Sequence, residues 1–226
     1  MTTLPSDTSR GVLPRHETYR EAEHFRDRDH EFASVKLGVW LFLATEILLF
    51  SGLFCYYAVV RMLHPEAFVH GSSLLDWRIG LANTVVLLLS SFTAAAAVRD
   101  AQLNRQNALK LNLTLTFLAG LFFLVVKFAF EYYPKWQAGK LPGVFYSYPG
   151  WENAYEPLWW GLYWGATGIH ASHVIVGMGL YFWLFKRATR QEFGPGHYNA
   201  VEGVALYWHI VDIVWIFLFP MLYLIH

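Results

Sequence analysis

Apolar residues along this chain fall in long unbroken blocks separated by short polar segments. Five blocks stand out, Leu37–Val60, Ile79–Val98, Leu111–Phe130, Leu158–Phe185 and Gly203–Ile225, each of at least 20 residues. Roughly 20 helical residues cross a hydrocarbon layer about 30 Å thick. Only helices and closed barrels satisfy every backbone group in lipid, and no block alternates with the period of a barrel strand. The pattern predicts an all-α integral membrane protein with five transmembrane helices, at about 35–62, 79–98, 109–131, 158–186 and 203–225. A charged tail over 1–34, expected to be poorly ordered, precedes a membrane domain over 35–226.

Composition agrees. The chain is 55% hydrophobic and 15% charged, against about 25% charged in an average soluble domain. A formal net charge of zero gives no electrostatic basis for binding nucleic acid. The charged start lacks the ordered basic, apolar and cleavage regions of a signal peptide. The single cysteine, Cys55, is expected to be buried in the first helix. One thiol excludes internal disulfides, cysteine-held iron–sulfur clusters and a paired-thiolate copper centre.

Charge sets the expected orientation. Twelve Lys and Arg residues lie on the side of the tail and the second and fourth loops, and four on the side of the first and third. Positive charge stays in the cytoplasm, so the N-terminus is expected inside and the C-terminus outside. The aromatic-rich third loop, Tyr132–Pro157, then faces outward.

Ionisable residues inside a membrane are costly and mark functional or packing sites. Here they are Glu46, Lys127, His170, His173, His209 and Asp212. At 1.5 Å per residue, Glu46 and Asp212 fall about 13 Å from the inner side and His209 about 9 Å. His173 is expected near the level of His209, and His170 near that of Glu46 and Asp212. His170 and His173 share a helix face at i, i+3, as do His209 and Asp212. Such groups can hydrogen-bond one another and fix helix packing. They can also form a metal site, hold a haem between His173 and His209, or relay protons. Lys127 and Glu131, at i, i+4 near the outer boundary, are expected to neutralise each other, with an ion-transport role as the alternative. Gly161, Gly165 and Gly168 are expected to let their helix approach a neighbour closely, and Pro220 to bend the last helix.

Several strings carry a resemblance. "WLFLATEILLFSGLF", centred on Glu46, resembles the first shared helix of subunit III of haem–copper oxidases. "YWGATGIHASHVIVG" resembles that family's Gly-x-His-x-x-His-Val helix, and "LYWHIVDIVWIFLF" its terminal Trp-His-x-Val-Asp-x-Val-Trp helix. "EYYPKWQAGKLPG" is similar to its Glu-Tyr loop leading to Leu-Pro-Gly. The motifs occur in family order over about residues 35–225. Mitochondrial members carry two further helices ahead of the glutamate; here a charged tail stands instead, as in the five-helix bacterial form. The Lys127–Glu131 spacing is one residue longer than the family's.

The resemblance implies an accessory subunit in a bacterial plasma membrane that binds neither haem nor copper. Those would sit in partner subunits I and II. A small subunit IV and a supercomplex with a quinol–cytochrome c reductase are further associations it allows. It also implies structural phospholipid in a cleft, support of proton uptake and turnover during oxygen reduction, and no catalytic residue in this chain. Cytochrome c is favoured over quinol as electron donor. Two rival classes remain, a small bis-histidine cytochrome b-like carrier and a secondary transporter. Glu46, beside Leu43, Leu49 and Phe50, is the candidate proton-related residue: apolar surroundings favour a neutral carboxyl. It would donate toward His170, and the family's matching glutamate reacts with carbodiimides. Pure packing is its alternative role.

The charge asymmetry has a direct check. A reporter fused after His226 should be active outside and one within the Arg187–Val201 loop inside; both on one face would refute the five-crossing topology.

Overall fold

A computed structural model describes residues 25–150 and 152–225, and five of its helices are long and apolar enough to cross a membrane. In chain order the helices are α1 (Arg28–Leu63), the short α2 (Pro65–Ser73), α3 (Trp77–Gln102), α4 (Gln106–Val126), α5 (Tyr133–Gln137), α6 (Glu156–Thr189) and α7 (Asn199–Tyr223). A π-helical turn, Lys127–Tyr132, joins α4 to α5, so the third crossing runs unbroken from Gln106 to Gln137.

Four of the five crossings begin and end beyond their apolar blocks, and α7 begins four residues before its block and stops two short of its end, because a helix stops at a cap rather than where hydrophobicity stops. Residues 1–24 of the expected tail lie outside the described residues, and residues 28–34 belong to α1. Asp27 sets that start: its carboxylate accepts from the His30 N–H at 2.7 Å, with Asp29 and Glu31 in the first turn. At the far ends of α3 and α6 the chain turns on left-handed residues, Asn104 (φ 55°) and Gln191 (φ 53°). The N–H groups of Arg105 and Glu192 close these turns on the Asp100 and Arg187 carbonyls. Gln191 has no special tolerance for that conformation and costs about 1 kcal/mol there.

Helices α3, α4, α6 and α7 close a four-membered ring in which neighbours run antiparallel. α7 is its most enclosed wall. Its buried Val204, Trp208, Val211, Trp215, Leu218 and Leu222 recur at three- and four-residue spacing, one stripe facing the ring. Register with α3 is set by two indoles. The Trp208 N–H donates to Ser90 Oγ at 2.8 Å and the Trp215 N–H to Thr84 Oγ1 at 3.0 Å. Each of those hydroxyls donates in turn to its own helix, to the Leu87 and Gly80 carbonyls respectively.

α1 lies outside the ring, chiefly against α7. Of its 36 residues Leu43, Phe50, Tyr57 and Val60 are buried, three at one heptad position and the last at a second, a narrow stripe. Tyr57 fastens its end by donating to the Met221 carbonyl at 2.5 Å. The expectation that Cys55 is buried is incorrect: it lies on the exposed side of α1. An apolar helix hides only the residues that meet a neighbour.

The glycine expectation also needs correction. A Cβ on Gly165 or Gly168 would meet nothing within 4 Å, and on Gly161 only Pro142 at 3.9 Å. The glycines that permit close approach are others. A Cβ on Gly177 would stand 2.7 Å from the Trp208 ring, on Gly120 2.8 Å from the same ring, and on Gly80 2.7 Å from Phe219. Pro220 lies inside α7, which continues to Tyr223.

Gly177→Ala should therefore force the Trp208 indole off its seat and destabilise the fold by about 1–3 kcal/mol. Gly179→Ala, two residues away in open space, should be neutral or slightly stabilising. Denaturant titration of both variants in detergent checks this, and equal effects would contradict the indole-seat account.

Candidate functional site

Polar contacts join neighbouring helices near the middle of their lengths. Between α1 and α6, Glu46 Oε2 lies 2.7 Å from His173 Nε2. His173 Nδ1 is 2.8 Å from the Ile169 carbonyl. A carbonyl only accepts, so Nδ1 carries a proton. The Glu46–His173 contact then holds one further proton, either on the carboxyl or on the imidazole. The Tyr207 hydroxyl donates to the His173 carbonyl at 3.0 Å, and the Phe50 ring lies 5.1 Å from the imidazole. The expected partner of Glu46 was His170, and that is corrected. His170 points into the ring, fully buried between Phe123 (5.4 Å) and Trp215 (5.0 Å), and neither ring nitrogen has a hydrogen-bond partner among the described residues. Three residues on a helix differ by about 60°, enough to send one imidazole inward and the other toward α1.

Between α3 and α7, Ser91 gathers both polar residues of the last helix. Its hydroxyl donates to Asp212 Oδ2 at 2.5 Å and lies 3.0 Å from His209 Nδ1. His209 and Asp212 thus do bind helices together, through a serine that the sequence reading passed over. His173 and His209 face different neighbours, α1 and α3, and His173 has both nitrogens engaged. That geometry does not fit a haem held between them. Among the described residues no three His, Cys, Asp or Glu side chains gather as a metal site.

The strongest charge cluster occupies the end of the ring nearer α2. Lys127 Nζ donates to Glu131 Oε2 at 2.8 Å and to the Tyr223 hydroxyl at 2.5 Å. It sits against the rings of Tyr132, Tyr163, Trp215 and Tyr223, at 5.7, 5.2, 4.8 and 5.1 Å. Glu131 Oε2 also accepts from Tyr163 at 2.8 Å and from Tyr223, and Lys135 lies 3.5 Å away. The expected boundary pair is thus a buried one, with both side chains at most 2% exposed. The π turn makes this possible. Its i→i+5 bond, Tyr133 N–H to the Phe128 carbonyl, takes up one residue more than an α turn and brings Lys127, Glu131 and Tyr132 to the buried side together.

Beyond the crossings, a second buried carboxylate organises the α5–α6 loop. Glu156 accepts from the Glu152 and Asn153 N–H groups at 2.7 and 3.1 Å and from the Tyr146 hydroxyl at 2.6 Å, with His70 Nδ1 of α2 at 2.8 Å. Burial, together with that carboxylate, pushes the Tyr146 phenol well above its ordinary pKa.

The sequence reading missed Thr84, Ser90, Ser91, Tyr163, Tyr223 and Lys135. Hydroxyls and phenols inside apolar helices are too common to single out. The one available signal was the pair of tryptophans in the last helix, whose buried N–H groups each require an acceptor.

Removing the Glu131 charge leaves two ammonium groups facing each other, whereas removing Lys127 leaves the carboxylate with Lys135 and two phenols. Glu131→Gln should therefore destabilise by about 3–5 kcal/mol and Lys127→Met by less. Unfolding of the two variants in detergent measures the order; the reverse order would show that the carboxylate is not the hub.

The family model described as Cytochrome c oxidase subunit III matches residues 19–226. A "Probable cytochrome c oxidase subunit 3" of Mycobacterium leprae is 31% identical over 192 residues, covering 84% of this chain and 88% of the relative. A "Probable quinol oxidase subunit 3" of Staphylococcus haemolyticus is 32% identical over 206 residues, covering 88% and 92%. A "Cytochrome c oxidase subunit 3" of Thermostichus vulcanus is 30% identical over 213 residues, with the same coverage. With its five crossings, the chain is a multi-pass protein of a bacterial plasma membrane and belongs to the cytochrome c oxidase subunit III family.

Proposed function

We propose that this chain, as the non-catalytic subunit III of a proton-translocating terminal oxidase, seats beside the catalytic subunit I, binds phospholipid and sustains proton uptake while oxygen is reduced to water. Haem and copper belong to the partner subunits in this reading. The electron donor is cytochrome c, a reading supported by the names of the M. leprae and T. vulcanus relatives. Subunit II, a small subunit IV and a quinol–cytochrome c reductase complete the proposed company. The Lys and Arg asymmetry supports an N-terminus inside and a C-terminus outside.

Two features support the finer roles. An open groove of ≈ 820 Å³ between α1, α6 and the α5–α6 loop is lined by Leu53, Tyr56, Phe145, Tyr155, Gly161 and Gly165. Its apolar floor and tyrosine rim suit an acyl chain and its headgroup region. The observation that carries the proton role is the 2.7 Å contact between Glu46 Oε2 and His173 Nε2. A carboxyl–imidazole pair of this kind can pass its proton without either helix moving, since the hydrogen bond persists in both forms. Its side chains are 15% and 16% exposed, so the pair is within reach of whatever lies along α1.

Glu46→Gln separates proton handling from packing. The amide keeps a hydrogen bond to His173 Nε2 but removes the titration. Oxidase carrying it should assemble normally, yet translocate fewer protons per electron or lose activity early during turnover. Unchanged pumping and lifetime, with no effect of carbodiimide on the wild-type subunit, would make Glu46 structural.

A further inference from the structure

The α3–α7 seam has a feature that the roles above do not use. Ser91 and His209 both sit near the middle of their helices, His209 about 15 Å from the start of α7. His209 Nδ1 is engaged with the Ser91 hydroxyl, as donor or acceptor according to the tautomer. Nε2 is the ring nitrogen left over, the acceptor in one tautomer and the donor in the other. His209 is half-buried, and Nε2 makes no hydrogen bond among the described residues.

The surface around it is apolar. Leu88 and Phe92 on α3, and Ile213 and Ile216 on α7, are exposed on the same side, Phe92 at 73%. Other outward-facing polar residues behave differently. Thr45, Ser51 and Ser172 turn their hydroxyls back onto the carbonyls of Phe42, Ile47 and Ile169 in their own helices. At mid-membrane depth neither water nor headgroups reach a ring nitrogen, and acyl chains cannot satisfy it.

We infer that the α3–α7 seam is the docking face for a membrane-spanning helix of another oxidase subunit, whose polar side chain hydrogen-bonds to His209 Nε2. Leu88, Phe92, Ile213 and Ile216 form the apolar ring around that bond. The inference rests on the reading of the chain as an oxidase subunit and adds the face by which it joins the assembly.

The test uses the whole oxidase, isolated through a tag on this chain. With p-benzoylphenylalanine in place of Phe92, illumination in native membranes should join this chain to another oxidase polypeptide through a transmembrane peptide. The same group in place of Phe122, exposed on α4, should yield lipid adducts. His209→Leu should lower retention of this subunit through detergent purification about threefold to tenfold, the scale of one interhelical hydrogen bond in a membrane. His209→Gln should restore it. Adducts at position 92 to lipid only, or to a second copy of this chain, would overturn the inference while leaving the oxidase reading intact, as would capture of the polypeptide from position 122 alone. Recovery of no oxidase polypeptide with the tagged wild-type chain would overturn both.

Discussion

Two indole N–H groups on α7 hold this bundle in register. Inside a membrane the hydrophobic effect gives helices no reason to prefer each other over lipid, so association rests on close packing and on polar groups that must find partners. Trp208 and Trp215 supply both. Each donates to a hydroxyl of α3, and each is large enough to fill the ring interior. Gly120 and Gly177 are glycines because the Trp208 ring occupies the place of their side chains. Phe123 meets Trp215 edge to face and His170 lies tilted against it, and the same indole forms one wall around Lys127. The interior from one end of the ring to the other is arranged about these two residues.

Above them lies a concentration of charge that lipid would not tolerate. The cluster persists because Glu131 serves two ammonium groups and two phenols at once, while four aromatic rings replace the water around Lys127. A regular α-helix would turn Tyr132 away from this centre. One π turn corrects the phase, and the helix then resumes through Tyr133–Gln137. The same segment therefore carries a departure from regular backbone and the most buried ion pair.

α1 is attached on different terms. It gives up few residues to the ring and is held at separate points along its length: Lys36 to Glu202 at 3.1 Å, Glu46 to His173, and Tyr57 to the Met221 carbonyl. A helix fastened by a few polar bonds, with grooves beside it, remains open to lipid and to neighbouring subunits. The ring is the rigid part, and the titratable pair lies where α1 meets it.

The sequence by itself determined the number of crossings, the helical class and the family. These depend on block length and on motif order, which are properties of a linear string. It also marked ionisable residues inside long apolar blocks: Glu46, His173, His209, Asp212, Lys127 and Glu131 make polar contacts between elements or within the buried cluster, whereas His170 makes no hydrogen bond among the described residues. Pairing was decided only by tertiary structure. Depth counted from block ends gave Glu46 to His170, but the helices overrun their blocks by unequal amounts, and the rotation of α6 sends His170 inward and His173 toward α1. Rotation also decided that Gly177, rather than Gly165 or Gly168, would meet a neighbour, and that Cys55 would face outward. Periodicity fixes relative angles along one helix; the absolute angle toward a neighbour is set by what that neighbour presents, here the hydroxyls of α3 and the indoles of α7.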